Sequence, residues 1–338
     1  EYFRGNAKQL AEDGYFTDFI SNGVSTELCF MAFCAFTLII IFAGVQNGIE
    51  RVSKIMMPIL IVLSVIIAVY SVTRPGALAG VKYFLVPNVK NFSWMTVVSA
   101  MGQMFYSLSI AMGILITFGS YMKKDTAIED STRNVEVFDT GIAIMAGLMI
   151  IPAVFAFSGG DSNTLQAGPS LMFITIPKVF QNMGFGTVIG IVFFLLVLFA
   201  AVTSSIALTE SAVSTFEDEL GWGRKKATVL VGVIMLALGS LSSLGYGPLA
   251  GIKIIGMQFL DLFDFLTNSV MMPIAALLTS LLVSRVVGID KIEDEIIHGE
   301  SAFRRKKVFV VMIKYLCPVF AIIILLSSVA NALGWIKM

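Results

Sequence analysis

The sequence predicts an all-α integral membrane protein with about eight transmembrane helices. Of its 338 residues, 57% are hydrophobic and 14% charged, whereas a typical soluble domain has about 45–50% and about 25%. The mean hydropathy is +0.88. The apolar residues also gather in runs of the length a bilayer needs, about 20 residues each.

Eight such runs occur, near 26–45, 55–73, 95–121, 136–158, 185–216, 226–245, 256–287 and 308–334. The second and fifth carry nearly unbroken aliphatic stretches, Ile59–Ala68 and Val192–Ala201. The third and seventh are interrupted by glycines and polar residues, so their limits are soft. Linkers are short, and one domain over 1–338 is expected.

Formal charge balances, with 23 basic and 23 acidic residues, and no basic tract is present. That excludes a nucleic-acid partner. Cys29, Cys34 and Cys317 make no disulfide framework or metal set. The single histidine, His298, sits among charges as a solvated surface group. Without a catalytic His, Cys or phosphate loop, no enzyme is expected.

Orientation follows from Lys and Arg, which favour cytoplasmic loops. With odd spans running inward, the inner loops hold 14: Arg51, Lys54, Lys123, Lys124, Arg133, Arg224, Lys225, Lys226, Arg285, Lys291, Arg304, Arg305, Lys306 and Lys307. The outer segments hold eight: Arg4, Lys8, Arg74, Lys82, Lys90, Lys178, Lys253 and Lys337. Both chain ends are then extracellular, with 1–25 a polar outer segment (Glu1, Arg4, Lys8, Glu12, Asp13) that is no signal peptide. The chain reads as a fragment with something before it.

The third span crowds Gly102, Ser107, Ser109 and Gly113 beside Phe105 and Tyr106. Glycine weakens helices, and serine competes for backbone partners. A discontinuous helix facing a substrate fits this, and so does close helix packing through small residues. In the fifth span Ala200, Thr203 and Ser204 share one helical face. Their oxygens make half a cage for a hard cation such as sodium, or ordinary interhelical contacts. Acids within or at the ends of spans are functional candidates, because placing them there is costly: Asp139, Glu210, Asp261 and Asp264. Asp139 is merely interfacial if its helix starts late. Gly48 and Pro58 bracket a stretch that is either a hinge or a plain helix boundary.

The order of motifs resembles the bacterial branch of the neurotransmitter:sodium symporter family, with its leucine-transporter-like fold. The matching runs are Gly-Val-Gln-Asn-Gly-Ile-Glu-Arg-Val-Ser-Lys-Ile-Met-Met-Pro (44–58), Gly-Gln-Met-Phe-Tyr-Ser-Leu-Ser (102–109) and Gly-Ser-Tyr-Met-Lys-Lys-Asp (119–125). Phe-Ile-Thr-Ile-Pro (173–177), Thr-Ser-Ser-Ile-Ala (203–207) and Phe-Glu-Asp-Glu-Leu (216–220) follow. The resemblance covers nearly the whole chain. It implies an inverted-repeat, broken-helix transporter fold, with the eight spans as helices 4 to 11 and helices 1 to 3 missing. Residues 26–73 would end the first repeat, 95–287 form the second, and 308–334 add a peripheral helix.

The resemblance also implies roles. Sodium is the coupling ion, with two sites in the complete protein: Ala200, Thr203 and Ser204 contribute to one, Ser107 and Asp139 to the other. Tyr106, Ser107, Ser109, Met112 and Leu208 line the substrate pocket. Gln103 and Asp139 stand at the chloride position, where a fixed carboxylate replaces the anion, so chloride independence is expected. Asp264 belongs to an outer gate, Asp218 and Tyr121 to an inner gate, and Gly48 to Pro58 to a hinge that unwinds. Ala111 stands where relatives often carry glycine, which narrows the pocket toward aliphatic substrates.

The implied activity is sodium-coupled symport of a small neutral amino acid across the plasma membrane, the bacterial inner membrane, by alternating access. An amine or osmolyte symporter is the alternative within that class. An ion channel or an inert membrane scaffold is the alternative outside it.

Overall fold

The computed structural model is helical almost throughout. It describes residues 2, 5–12, 14–160, 168–300 and 302–335, the Asn91 side chain excepted. Glu1, Arg4, Asp13 and Lys337, counted among the charges above, lie outside the described residues.

After two short helices, Ala7–Leu10 and Tyr15–Ser21, the helices are α1 Gly23–Phe42, α2 Val45–Val72, α3 Ala77–Leu85, α4 Trp94–Ser107 and α5 Ile114–Ser120. Then come α6 Ile128–Ser158, α7 Leu171–Gln181, α8 Gly186–Leu220, α9 Arg224–Leu244, α10 Phe259–Val287, α11 Ile289–Gly299 and α12 Lys306–Ala332. Among the described residues, seven are long and apolar enough to cross a membrane: α1, α2, α6, α8, α9, α10 and α12. Eight spans were expected, the third and seventh interrupted by glycines and polar residues. The run at 95–121 divides into α4 and α5, because its serines and glycines give up helical geometry in the middle. Several spans also run longer than their apolar cores. α6 starts at Ile128 because Glu129 and Asp130 suit a first turn, and α2 reaches back to Val45.

Three wide π-turns precede a proline: Leu171–Thr175 before Pro177, Phe265–Met271 before Pro273 and Met312–Leu316 before Pro318. A proline ring clashes with the carbonyl four residues back. A local π adjustment satisfies the freed groups inside a bilayer, so the helix need not end.

The chain forms two compact units, each assembled from separate stretches. The first takes 1–89, 140–209 and 216–253, and the second takes 90–139, 210–215 and 254–338. The expected second repeat, 95–287, therefore contributes to both. In the first unit, α1 and α9 run antiparallel through small residues: Gly239 receives the Phe30 ring, Gly232 meets Leu38, and Gly23 meets Leu244 and Pro248. Its main core joins Ile67 of α2, Ala153 and Val154 of α6, Val179 and Phe180 of α7, and Phe193 of α8. In the second unit, Phe105 of α4, Met272 of α10 and Ile324 of α12 form a cluster against which Ile110, Ala111 and Met112 pack.

Candidate functional site

α4 begins with a capping box: the Ser93 side chain accepts from the Thr96 amide, and Thr96 returns the bond. It ends at Ser107, and α5 begins at Ile114. Between them the chain is unwound. Ser109, Ala111 and Gly113 have φ of 53°, 64° and 80°, in the left-handed region that ends a right-handed helix. Gly113 is held closely as well, since a Cβ there would sit 2.6 Å from Ser211 Oγ. Of the two readings left open for these small residues, the break is the one observed.

Unwinding frees oxygen. The amides of Leu108, Ser109 and Ile110 bond back to Met104, Tyr106 and Phe105, at 3.0–3.1 Å. Among the described residues, the carbonyls of Leu108, Ile110, Ala111 and Met112 receive no backbone amide. Unpaired carbonyls at membrane depth are tolerated only where protein or a water-filled cavity receives them, and they are the ligands hard cations use. At the edge of this segment the Ser107 hydroxyl donates to Asp139 Oδ1 at 2.7 Å. Asp139 is half-buried on α6, well inside the helix rather than at its start.

Also in this unit are the expected pocket residues Tyr106, Ser109 and Met112, and Gln103 of the expected chloride position. Ser109 and Met112 are half-buried, and Gln103 and Tyr106 are exposed. Asp264 is exposed on α10 and accepts from Asn268 Nδ2 at 2.6 Å. Asp261 lies one turn earlier, also exposed.

In the first unit, α8 presents Ala200, Ser204 and Leu208 on one exposed face, with Thr203 half-buried beside them. The Thr203 hydroxyl donates to the carbonyls of Ala200 and Phe199 at 3.0 and 3.1 Å. Inside α8 each of these carbonyls also accepts the helical amide four residues on, so the Thr203 hydroxyl takes its second lone pair. The oxygens this face presents are then the Thr203 and Ser204 hydroxyls. Asp218 is exposed near the end of α8.

The stretch from Gly48 to Pro58 is helical here, not unwound. It opens with a π-turn over Val45–Glu50, after Gly44 at φ 87°. A Cβ on Gly48 would collide with the Ile40 carbonyl oxygen, so this glycine serves a close backbone approach. Pro58 lies inside α2.

One pair was not assigned from sequence. Glu210 is fully buried on α8, and the Tyr121 hydroxyl donates to its Oε1 at 2.7 Å. Tyr121 was expected beside Asp218. Buried hydroxyls adjoin the pair in sequence: Thr117 meets Ser214 at 3.1 Å and Ser211 at 3.4 Å. The available signal was an acid within a span, followed by serines at i+1 and i+4.

Comparison with known proteins agrees with this geometry. The model of the sodium:neurotransmitter symporter family matches residues 1–335. An uncharacterized sodium-dependent transporter of Bacillus subtilis, YhdH, is 33% identical over 329 residues, covering 96% of this chain and 72% of the relative. Uncharacterized sodium-dependent transporters of Methanocaldococcus jannaschii and Haemophilus influenzae are each 30% identical. They cover 87% and 88% of this chain, which spans 59% and 64% of their lengths. A crystal structure of MhsT in complex with L-phenylalanine superposes with a TM-score of 0.83 at 33% identity, covering 97% of this chain and 74% of that one. The expectation that only helices 4 to 11 are present, with three missing, is not borne out by the family match. Members of this family are transporters rather than enzymes, and relatives and spans together make this a multi-pass protein of the plasma membrane, the inner membrane in a bacterium. The chain belongs to the sodium:neurotransmitter symporter family.

Proposed function

We propose that the protein couples the sodium gradient to uptake of a small neutral amino acid by alternating access. The observation that carries this reading is the unwound segment of Leu108 to Gly113 beside the Ser107–Asp139 bond. It offers unpaired carbonyls and a hydroxyl from the third apolar run, with a carboxylate from α6 against them. One sodium ion takes Ser107 and Asp139, and a second takes the Ala200, Thr203 and Ser204 face. The substrate lies along Tyr106, Ser107, Ser109, Met112 and Leu208. Asp139, with Gln103 at the chloride position, supplies fixed negative charge, so chloride is not required. Asp264 serves the outer gate, Asp218 and Tyr121 the inner gate, and the Gly48-to-Pro58 stretch unwinds to release the inner ion.

An amino acid is favoured over an amine or osmolyte because MhsT, similar over nearly the whole chain, was crystallised with L-phenylalanine. Ala111 adds a methyl to the unwound segment, which tilts the preference toward aliphatic side chains. Phenylalanine is therefore the competitor to set against leucine. Uptake of labelled leucine into proteoliposomes, with and without a sodium gradient, tests the proposal. Gradient-independent flux would favour a channel, and no flux of any amino acid would leave a scaffold.

A further inference from the structure

The first ten residues of α6 carry little packing. Every side chain from Thr132 to Phe138 is exposed, yet this stretch leads directly to Asp139. Two carboxylates anchor it. Glu300, half-buried just past α11, accepts the Glu129 amide at 2.6 Å and the Asp130 amide at 3.3 Å. In return Glu129 Oε2 accepts the Arg304 amide at 2.9 Å. Glu300 thus satisfies two first-turn amides of α6, and Glu129 in turn holds the Arg304 amide just before α12, reciprocal bonds across 171 and 175 residues of sequence.

Arg305 ties the two ends of the exposed stretch. Its Nη1 donates to Glu136 Oε2 at 2.9 Å, and its Nε lies 3.8 Å from Glu129 Oε1. The hydrogen bond Arg305 donates to Glu136, with that carboxylate's charge, raises the Arg305 pKa above the ordinary guanidinium value. Glu129 and Glu136 are seven residues apart, on one face of α6, and Asp139 follows Glu136 by three residues. Glu129 is only 12% exposed, whereas Arg305 and Glu136 are nearly half exposed. Salt therefore weakens the arginine bridge far more than the carboxylate–amide bonds.

We infer that Glu300 and Arg305 are positioning residues for Asp139: they clamp the start of α6 and so set the geometry of the Ser107–Asp139 contact. The inference rests on the reading of that contact as a sodium site. The clamp reaches no ion and no substrate. It acts by removing freedom from a helix start whose side chains from Thr132 to Phe138 are exposed.

The test compares wild type with E300Q, R305Q and E300D, using amide exchange over 129–139 and sodium-dependent uptake in proteoliposomes. In E300Q the Glu129 and Asp130 amides should exchange about tenfold faster, and half-saturating sodium should rise about fivefold. E300D, which keeps the charge on a shorter arm, should fall between. If E300Q does not accumulate as folded protein, R305Q, altered at an exposed side chain, should show both changes in smaller degree. Faster exchange with unchanged sodium dependence would overturn the positioning role, and unchanged exchange would overturn the clamp. S107A serves as the control. If it too leaves sodium dependence unmoved, the sodium reading falls and takes the inference with it; if S107A responds and E300Q does not, only the inference falls.

Discussion

The Ser107 hydroxyl and the Asp139 carboxylate meet at 2.7 Å, joining the last residue of α4 to α6 at the point where the third apolar run gives up its helix. A charged acceptor makes this a strong bond. Hydrogen bonds to charged groups are shorter and stronger than neutral ones, though the exposed Ser107 side leaves this one open to solvent screening.

Replacing the carboxylate should therefore be felt by the ion. D139N is expected to raise half-saturating sodium by about tenfold or more, following the charge-assisted bond it removes. It should also make uptake depend on chloride, because the fixed negative charge is gone. Uptake in chloride and in gluconate buffers, over a sodium series, checks both parts.

Ala111 occupies the left-handed region at φ 64°, where a Cβ costs about 1–2 kcal/mol relative to glycine. A111G should raise thermal stability, and it should also shift competition toward bulkier substrates such as phenylalanine. A111V should lower stability. Thermal melts of detergent-purified variants, with leucine and phenylalanine competition, read the two effects separately.

Glu210 has no exposed surface and takes the Tyr121 hydroxyl at 2.7 Å. Y121F removes a donor to a buried carboxylate and should destabilise by about 1.5–3 kcal/mol. E210L, leaving no carboxylate to satisfy, should suffer less from the second change Y121F than wild type does. Equal costs of Y121F in both backgrounds would show that the bond contributes nothing.

Gly48 lies against the Ile40 carbonyl oxygen. G48A forces α1 and α2 apart at their turn and should cost about 1–3 kcal/mol, the usual range for overpacking. The nearby Gly44, at φ 87° with open space around it, should resist alanine through backbone strain instead. Denaturation of the two variants distinguishes a steric effect, relieved by trimming a neighbour, from a conformational one.

Much of this was legible in the sequence. The spans were visible because apolar runs such as Val192–Ala201 leave no alternative in water. The face of Ala200, Thr203 and Ser204 was legible because helical spacing fixes which side chains align. The break after Ser107 was visible only as a crowd of small residues, since close packing and unwinding use the same ones. What settled it was the backbone angle at Ser109 and Ala111, which no side-chain pattern encodes. Glu210 was seen as an acid within a span, but its partner Tyr121 is 89 residues away. The wide turns before the prolines at 177, 273 and 318 had no counterpart in the apolar pattern, because a π adjustment changes hydrogen bonding without changing which residues are apolar.

The most direct measurement is leucine accumulation in proteoliposomes carrying an inward sodium gradient, in wild type and in the Ser107→Ala, Thr203→Ala pair. Wild type should concentrate leucine while the gradient lasts, and Ser107→Ala and Thr203→Ala, singly, should each need more sodium for half-maximal uptake. Equal uptake with sodium replaced by choline, or sodium dependence untouched in both variants, would contradict a sodium symporter built on these residues.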